Sequence, residues 1–182
     1  MIKDLYLITL KPSFYVCNVD EEGLQTDSSA LIKVKEHAEK EGAQVVKLCG
    51  KIEAELAELD ASEKKDFLKD YGLEFSGLEI MAKTGYDLLG LITYFTAGPK
   101  EVRAWTIQKG FTAPQAAGVI HSDFERGFIK AETYHVTDIF EKGSVAKVKE
   151  AGLYRMEGKD YVVHDGDEED LDEQRRLDDE GV

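Results

Sequence analysis

The stretch that decides the fold is Leu91-Ile-Thr-Tyr-Phe-Thr-Ala97, followed by Gly98-Pro99-Lys100 and by Val102-Arg-Ala-Trp-Thr-Ile-Gln108. Two runs rich in β-branched and aromatic residues, separated by a turn signal, predict a β-hairpin. Thr112 then predicts the cap of a short helix, and strand candidates follow at 128–134, 154–156 and 161–163. This order of elements, a hairpin, then a helix, then further strands, is typical of an α+β, ubiquitin-like β-grasp domain. We place this domain at residues 90–167.

Upstream of the hairpin, the pattern is that of an α/β domain. Ser13 to Asn18 and Ala43 to Cys49 are short apolar runs typical of buried strands. Helical patterns lie between them and after them, which favours a parallel sheet. Two strands are too few for such a sheet, so residues 1–89 are predicted to be an incomplete domain.

Helix signals in this half are local. Ser28 or Ser29 predicts the start of a helix that Gly42 ends. Asp60 with Glu63, and Ser76 with Glu79, have the spacing of capping boxes. Met1 to Leu10 carries apolar residues close to helical spacing, and Asp20 to Asp27 is predicted to be a loop.

The net charge of −14 argues against broad, non-specific nucleic-acid binding. Residues 168–182 contain eight acids, two arginines and no aromatic residue, which predicts a disordered acidic tail. The absence of a long apolar run excludes a membrane span. Two cysteines, Cys17 and Cys49, each within an apolar run, indicate reduced thiols in a cytoplasmic protein.

Three segments carry a resemblance to a known family: 95–105, Gly110-Phe-Thr-Ala-Pro-Gln-Ala-Ala-Gly-Val-Ile-His-Ser-Asp-Phe124 and Gly127-Phe-Ile-Lys-Ala-Glu132. They closely resemble the TGS domain of the YchF (Obg-like) ATPase family, and the resemblance covers residues 1 to about 167. It implies that residues 1–89 are the C-terminal part of a P-loop nucleotide-binding domain and that residues 90–167 are a TGS domain. It also implies ATP and Mg²⁺ as ligands of the intact protein, and association with ribosomes.

The same resemblance implies a loop that reads the nucleotide base. Asn18-Val19-Asp20-Glu21 matches the family's Asn-x-x-Glu variant of the Asn-Lys-x-Asp motif of GTP-binding relatives. An asparagine amide can donate and accept at once, and an ionised glutamate only accepts, which suits the exocyclic amine of adenine. Cys49-Gly50-Lys51 stands where relatives have Ser-Ala-Lys. The base-binding residues implied are Asn18, Val19, Glu21, Gly50 and Lys51.

Other parts of a nucleotidase are missing from the sequence. No Gly-x-x-x-x-Gly-Lys-[Ser/Thr] loop occurs to hold phosphates, and no catalytic residues or metal ligands are indicated. We therefore expect the chain alone neither to bind ATP tightly nor to hydrolyse it, and leave its status as an enzyme open. The family closes its TGS domain with an aromatic-rich strand after Asp-Gly-Asp. Here the acidic tail follows Asp167, which predicts an exposed edge at Leu91–Ala97.

Five basic residues fall in the one segment that is not acidic. They are either ordinary solvated charges or a contact face for RNA or the ribosome: Lys100, Arg103, Lys109, Arg126 and Lys130. Two functions therefore remain open. The chain is either the C-terminal portion of a ribosome-associated ATPase, or a stand-alone TGS-type module that binds RNA, ribosome or protein without catalysis.

Overall fold

The computed structural model describes residues 3–98 and 101–170. The chain divides into two compact units, Met1–Leu89 and Gly90–Val182. Both contain helices and strands, so the mixed α/β character predicted from the sequence is present.

The first unit contains a two-stranded parallel sheet. Strand β1 (Tyr15–Asn18) lies beside β2 (Val45–Leu48), with Tyr15 opposite Val45 and Asn18 opposite Leu48. Five α-helices accompany these strands within the described residues 3–89: α1 (Glu21–Gln25), α2 (Ser29–Glu41), α3 (Gly50–Glu58), α4 (Ala61–Asp70) and α5 (Gly77–Leu89). Their core is formed by Cys49, Ile52, Leu56 and Leu68, with partly buried aromatic and aliphatic residues around them.

The predicted helix ends are confirmed where a side chain bonds to the backbone within the same helical turn. The Ser28 hydroxyl accepts a hydrogen bond from the Leu31 N–H at 3.2 Å, and α2 ends at Gly42, whose φ is 68°. Both bonds of the capping box between Asp60 and Glu63 are present. Ser76 and Glu79 also bond reciprocally, with the Ser76 N–H donating to the Glu79 carboxylate at 2.7 Å and the Glu79 N–H donating to the Ser76 hydroxyl at 3.1 Å.

Two local predictions in this unit were wrong. A helix was expected over Met1–Leu10, of which the structure describes residues 3–10. This described part forms two short 3₁₀ turns, Lys3–Leu5 and Ile8–Leu10. Its apolar side chains are exposed, so no packing stabilises a longer helix. The predicted loop at 20–27 contains α1, because the Asp20 carboxylate accepts the Gly23 N–H at 2.8 Å and caps a turn of helix.

The second unit is built on a five-stranded mixed sheet of order β4-β3-β7-β5-β6. Strand β7 is parallel to β3, and the other neighbouring pairs are antiparallel. The strands are β3 (Leu91–Ala97), β4 (Val102–Gln108), β5 (Ala131–His135), β6 (Arg155–Glu157) and β7 (Asp167–Asp170). The helices are α6 (Ala113–Ile120), α7 (Ser122–Gly127), α8 (Val136–Lys142) and α9 (Val145–Glu150).

The predicted hairpin is confirmed over its full length, with Leu91 opposite Gln108 and Ala97 opposite Val102. The strand expected at 161–163 is only an isolated bridge between Thr112 and Val162. The backbone there bonds instead to the start of α6, since the Ala113 N–H donates to the Tyr161 carbonyl at 2.8 Å.

The acidic segment from Glu168 is the main correction. The tail expected to be disordered begins with β7, which pairs with β3 at Phe95 and with β5 from Glu132 to His135. The edge of Leu91–Ala97 that was expected to be exposed is therefore covered. Composition misled here because backbone hydrogen bonds between strands do not depend on apolar side chains. The rest of the predicted tail, residues 171–182, lies outside the described residues.

The core of the second unit lies between the sheet and α6. Tyr94, fully buried on β3, donates its hydroxyl proton to the Ala116 carbonyl of α6 at 2.9 Å. Small residues on α6 let the helix approach the sheet closely, and Ile92, Ile107, Phe128 and Val163 complete the cluster. Within residues 3–98 and 101–170, no helix has the length and apolar character needed to cross a bilayer.

Candidate functional site

The edge formed by the carboxyl ends of β1 and β2 carries the residues that the sequence singled out. Because the two strands are parallel, Asn18 and Leu48 end at the same edge, where open α/β sheets bind ligands. The two strands stay hydrogen-bonded one residue beyond Asn18, since the Val19 N–H donates to the Leu48 carbonyl at 2.9 Å. The loops that follow β1 and β2 are thereby brought together.

A hydrogen bond joins the two loops. Asn18 Oδ1 accepts the Gly50 N–H at 2.9 Å, across 32 residues of sequence. Gly50 is the first residue of α3, and the residue before it, Cys49, makes no side-chain capping bond. Asn18 therefore supplies from another segment the acceptor that a helix N-terminus needs. The Nδ2 group of Asn18 retains donor capacity for a ligand.

A second contact between the loops is an ion pair. Lys51 Nζ lies 2.8 Å from Glu21 Oε1, and both side chains are largely exposed. The hydrogen bond to Glu21 raises the pKa of Lys51, and the charges of Glu21 and Glu55 add to the effect. Glu21 keeps acceptor capacity on its second oxygen, but its first oxygen already has a cationic partner.

The two loops line an open depression of about 610 Å³. Its walls are Asn18, Val19, Asp20, Glu21, Glu22, Cys49 and Lys51. Asp20 is already engaged, since its carboxylate caps α1. Gly23 lets that turn close on the loop, because a Cβ there would lie 2.8 Å from the Val19 Cβ. The depression offers amide and carboxylate groups suited to a nucleotide base, and one lysine.

The structure thus brings together the five residues that the family resemblance implied for base binding. It also shows roles that sequence reasoning missed, namely the capping of α3 by Asn18 and the pairing of Lys51 with Glu21. No local signal could reveal these contacts, since the partners lie about 30 residues apart in the chain.

The basic residues of the second unit lie in different places. Arg103 is on the edge strand β4, with its guanidinium 4.2 Å from the centre of the Trp105 ring. Lys130 precedes β5 and contacts Met156 of β6, at the opposite edge. Four strand spacings of about 4.8 Å separate those edges by roughly 19 Å. Lys109 follows β4, and Arg126 of α7 lies 3.7 Å from Asp123. Lys100 lies outside the described residues.

A buried polar cluster in the second unit was not predicted. Asp167, only 2% exposed, accepts hydrogen bonds from the Tyr161 hydroxyl at 2.7 Å and from the His164 N–H at 2.8 Å. The Arg155 guanidinium lies 3.7 Å from its other oxygen. Burial raises the pKa of Tyr161, and the hydrogen bond to Asp167 raises it further. In the part of the chain that the structure describes, no group of three or more potential metal ligands occurs.

Comparison with known proteins identifies relatives across most of the chain. Residues 91–168 match a family model described as "YchF-GTPase_C: Protein of unknown function (DUF933)". The protein named Ribosome-binding ATPase YchF from Bacillus subtilis is 52% identical over 169 residues, covering 92% of this chain and 46% of the relative. The protein of the same name from Pasteurella multocida is 54% identical over 166 residues, covering 91% and 46%.

Solved structures agree with these matches. The YchF GTPase of Schizosaccharomyces pombe superposes with a TM-score of 0.77 and 38% identity, covering 92% of this chain and 45% of that one. A GTP-binding protein from Pyrococcus horikoshii has a TM-score of 0.56 at 19% identity, which shows a shared fold alone. This chain spans somewhat less than half the length of the relatives it matches.

Proposed function

We propose, on the premise that this chain belongs to the YchF family, that it is the C-terminal portion of a ribosome-associated ATPase. In this proposal the first unit contributes the base-reading loops of a nucleotide-binding domain, and the second contributes a TGS domain. The observation that carries the proposal is the Asn18–Gly50 contact, which joins the two loops at the carboxyl edge of β1 and β2. The curated relatives are named as ribosome-binding ATPases, which favours this function over a stand-alone binding module.

Base recognition is proposed for Asn18, Val19, Glu21, Gly50 and Lys51. The Asn18 amide can donate to a ring nitrogen while its oxygen holds Gly50, and the second oxygen of Glu21 can accept from the adenine amine. The half-buried Val19 side chain supplies apolar contact beside these polar groups. These groups fit the base of a nucleotide. They do not provide for its phosphates or for Mg²⁺, because the sequence contains no phosphate-binding loop.

Hydrolysis is therefore assigned to the family protein and not to these residues. When bound in an intact relative, ATP with Mg²⁺ supplies the reacting phosphoryl group and the metal charge that stabilises its transfer. The residues of this chain orient the base at the far end of that ligand. Contacts to the base without contacts to phosphate leave little affinity, so the isolated chain is expected to bind ATP weakly.

The second unit is proposed to be a TGS-type β-grasp domain. Its first and last strands, β3 and β7, lie side by side in parallel within the sheet, with a hairpin partner on one side and β5 on the other. This is the strand order of ubiquitin-like folds. Arg103 and Lys109, at and just after the edge strand β4, are the proposed contacts to ribosomal RNA phosphates on that side. Arg126, Lys130 and Lys100 are proposed as further contacts. Association with ribosomes would place the protein in the cytoplasm.

A nuclear magnetic resonance titration of the ¹⁵N-labelled 182-residue chain tests the base-reading role. Millimolar ATP should shift the Gly50 and Lys51 amide signals more than GTP does, and Asn18→Ala should abolish the difference. Glu58→Gln, an exposed change at the far end of α3, serves as the control. Shifts confined to other regions would refute base recognition here, and micromolar affinity would refute the expected weakness of the isolated chain.

Co-sedimentation with ribosomes through a sucrose cushion tests the second unit. Arg103→Glu combined with Lys109→Glu should reduce the bound fraction of the 182-residue chain, and added salt should reduce the binding of the unaltered chain as well. Lys33→Glu combined with Lys83→Glu, two exposed changes on α2 and α5 of the first unit, makes the same number of charge reversals for comparison. Equal loss with both variants would show that net charge matters and that this edge does not.

A further inference from the structure

Strand β7 places a glutamate in the interior of the second unit. Glu169 has no exposed surface, and neither of its carboxylate oxygens has a hydrogen-bond partner within the described residues. It lies opposite Thr133 of β5, whose hydroxyl is also buried without a partner. Without a partner, a neutral carboxyl is destabilising in such a place, but an ionised carboxylate is far more so.

Among the described residues, no cation forms an ion pair with Glu169. Since side chains alternate along a strand, Glu169 shares its face with Asp167, which brings a second negative charge. On β3, Phe95 lies opposite Glu168, so the adjacent Tyr94 belongs to the face of Glu169. The Tyr94 hydroxyl already donates to α6, which presents alanines to this core.

The charged and titratable groups on that side surround Asp167. Tyr161 and His164 bond to its Oδ2 atom, and Arg155 lies 3.7 Å from its Oδ1 atom. His135 of β5 is opposite Asp167 in register, and its ring bonds to Thr137 and to the Asp165 carbonyl. These groups are engaged around Asp167, two residues before Glu169 on the strand. Burial raises the pKa of Glu169 to about 8, and the charge of Asp167 adds to the shift.

We infer that Glu169 is a protonation-dependent latch that holds β7 between β3 and β5 when its carboxyl is neutral and weakens that hold when it ionises. Strand β7 is the element at risk because it inserts between two strands and contributes the buried acid itself. Its departure would leave β3 and β5 with unpaired edges that face each other.

The direction of the pH effect follows from the two pKa values. Glu169 binds its proton more tightly in the folded state than in the unfolded chain, where a glutamate titrates near 4.3. The stabilising effect of the neutral carboxyl is complete below that value. It declines as the pH rises towards about 8, the pKa in the folded state, and does not change further above it.

Urea unfolding of the complete chain tests the latch. Trp105, the one tryptophan of the sequence, lies on β4, so its fluorescence reports on this unit. Between pH 5 and pH 7 the unfolding constant of the unaltered chain should rise about tenfold per pH unit relative to Glu169→Gln, because one proton is released on unfolding. Glu150→Gln removes an equal charge from an exposed position of α9 and should keep the full pH dependence.

The inference is overturned if the unaltered chain and Glu169→Gln show the same pH dependence, or if Glu150→Gln abolishes it. Glu169→Met gives a second neutral side chain of similar length, for the case that the buried amide of Gln prevents folding. Failure of both neutral variants to fold at pH 5 would also contradict the latch, because the neutral form is the one inferred to hold β7.

Discussion

The acids of the first unit and those of the second unit differ in what surrounds them. At the depression in the first unit, Glu21 pairs with Lys51 and Asp20 caps a helix, and both remain in contact with solvent. On β7 of the second unit, Asp167 and Glu169 lie in the interior. Asp167 has several partners there, and Glu169 has no hydrogen-bond partner within residues 3–98 and 101–170. Position in the sheet and access to a hydrogen-bond donor, and not the residue type, therefore decide whether an acid stabilises the fold around it.

The largest loss of stability is expected from Asp167→Ala, which removes the buried acid that has hydrogen-bond partners. The Tyr161 hydroxyl and the His164 N–H would lose their acceptor, and Arg155 its nearby charge. Hydrogen bonds to buried charged groups contribute about 1.5–3 kcal/mol, so we expect a loss of about 3 kcal/mol. Urea unfolding followed by Trp105 fluorescence measures it. Asp167→Asn keeps an acceptor and should cost less; equal losses would show that the acceptor is not what matters.

A smaller effect is expected from Glu53→Ala, which tests a half-buried acid of the first unit. Its carboxylate accepts the N–H groups of Gly77 at 2.6 Å and Leu78 at 3.3 Å, and so caps α5. Loss of such a cap costs about 1–2 kcal/mol. Hydrogen exchange of the α5 amides should accelerate in Glu53→Ala and much less in Glu53→Gln. Unchanged exchange would show that α5 does not need this cap.

A still smaller effect is expected from Asn18→Ala, which removes an uncharged hydrogen-bond acceptor at the depression in the first unit. Removing the amide leaves the Gly50 N–H without its partner, for which we expect a loss of about 1 kcal/mol. The effect should appear as faster hydrogen exchange in the first turn of α3. Asn18→Asp retains an oxygen there and should restore the protection; acceleration in both variants would exclude capping as the reason.

The smallest effect is expected from Lys51→Gln, which removes an exposed ion pair. Because the pKa of Lys51 is raised by Glu21, the pair stabilises the fold below the ordinary lysine range, and that stabilisation is lost as the pH rises through the raised pKa. Solvent screening makes the contribution small. The thermal unfolding midpoint at pH 7 should stay the same within error. A clear decrease, absent from Lys83→Gln, would show that this pair matters more than exposed pairs usually do.

Much of the fold could be predicted from short-range patterns. The hairpin of β3 and β4, the helix ends at Ser28 and Gly42, and the capping box at Asp60 depend on residues within one turn or one pair of strands. Patterns that needed packing to be interpreted were misread. The apolar residues of Met1 to Leu10 predicted a helix, but those at 5–10 are exposed and find no partner surface among the described residues. The polar stretch from Asp20 to Asp27 was expected to be a loop, although one aspartate suffices to start a helix there.

The candidate site was predictable as a set of residues and not as an arrangement. The resemblance of Asn18-Val19-Asp20-Glu21 and Cys49-Gly50-Lys51 to family motifs predicted these two segments as a base-binding site, and that role stays a prediction. It did not indicate that Asn18 caps α3 or that Lys51 pairs with Glu21, because these contacts depend on how the parallel strands align. Nor did it indicate that Arg103 and Lys130 lie on opposite edges of one sheet.

Neighbouring residues alone were enough to predict many of the local elements of this protein and its family, since both depend on the identity and spacing of nearby side chains. Only the tertiary structure decided the fate of Glu168–Asp170. Their composition predicts that these acids are exposed to solvent. Backbone groups on β3 and β5, which are distant in sequence, pair with this segment instead and make it a strand of the sheet. The reason is that strand pairing is made by main-chain hydrogen bonds, which do not depend on the side chains. The pairing buries the side chain of Glu169 even though burial is unfavourable for an acid.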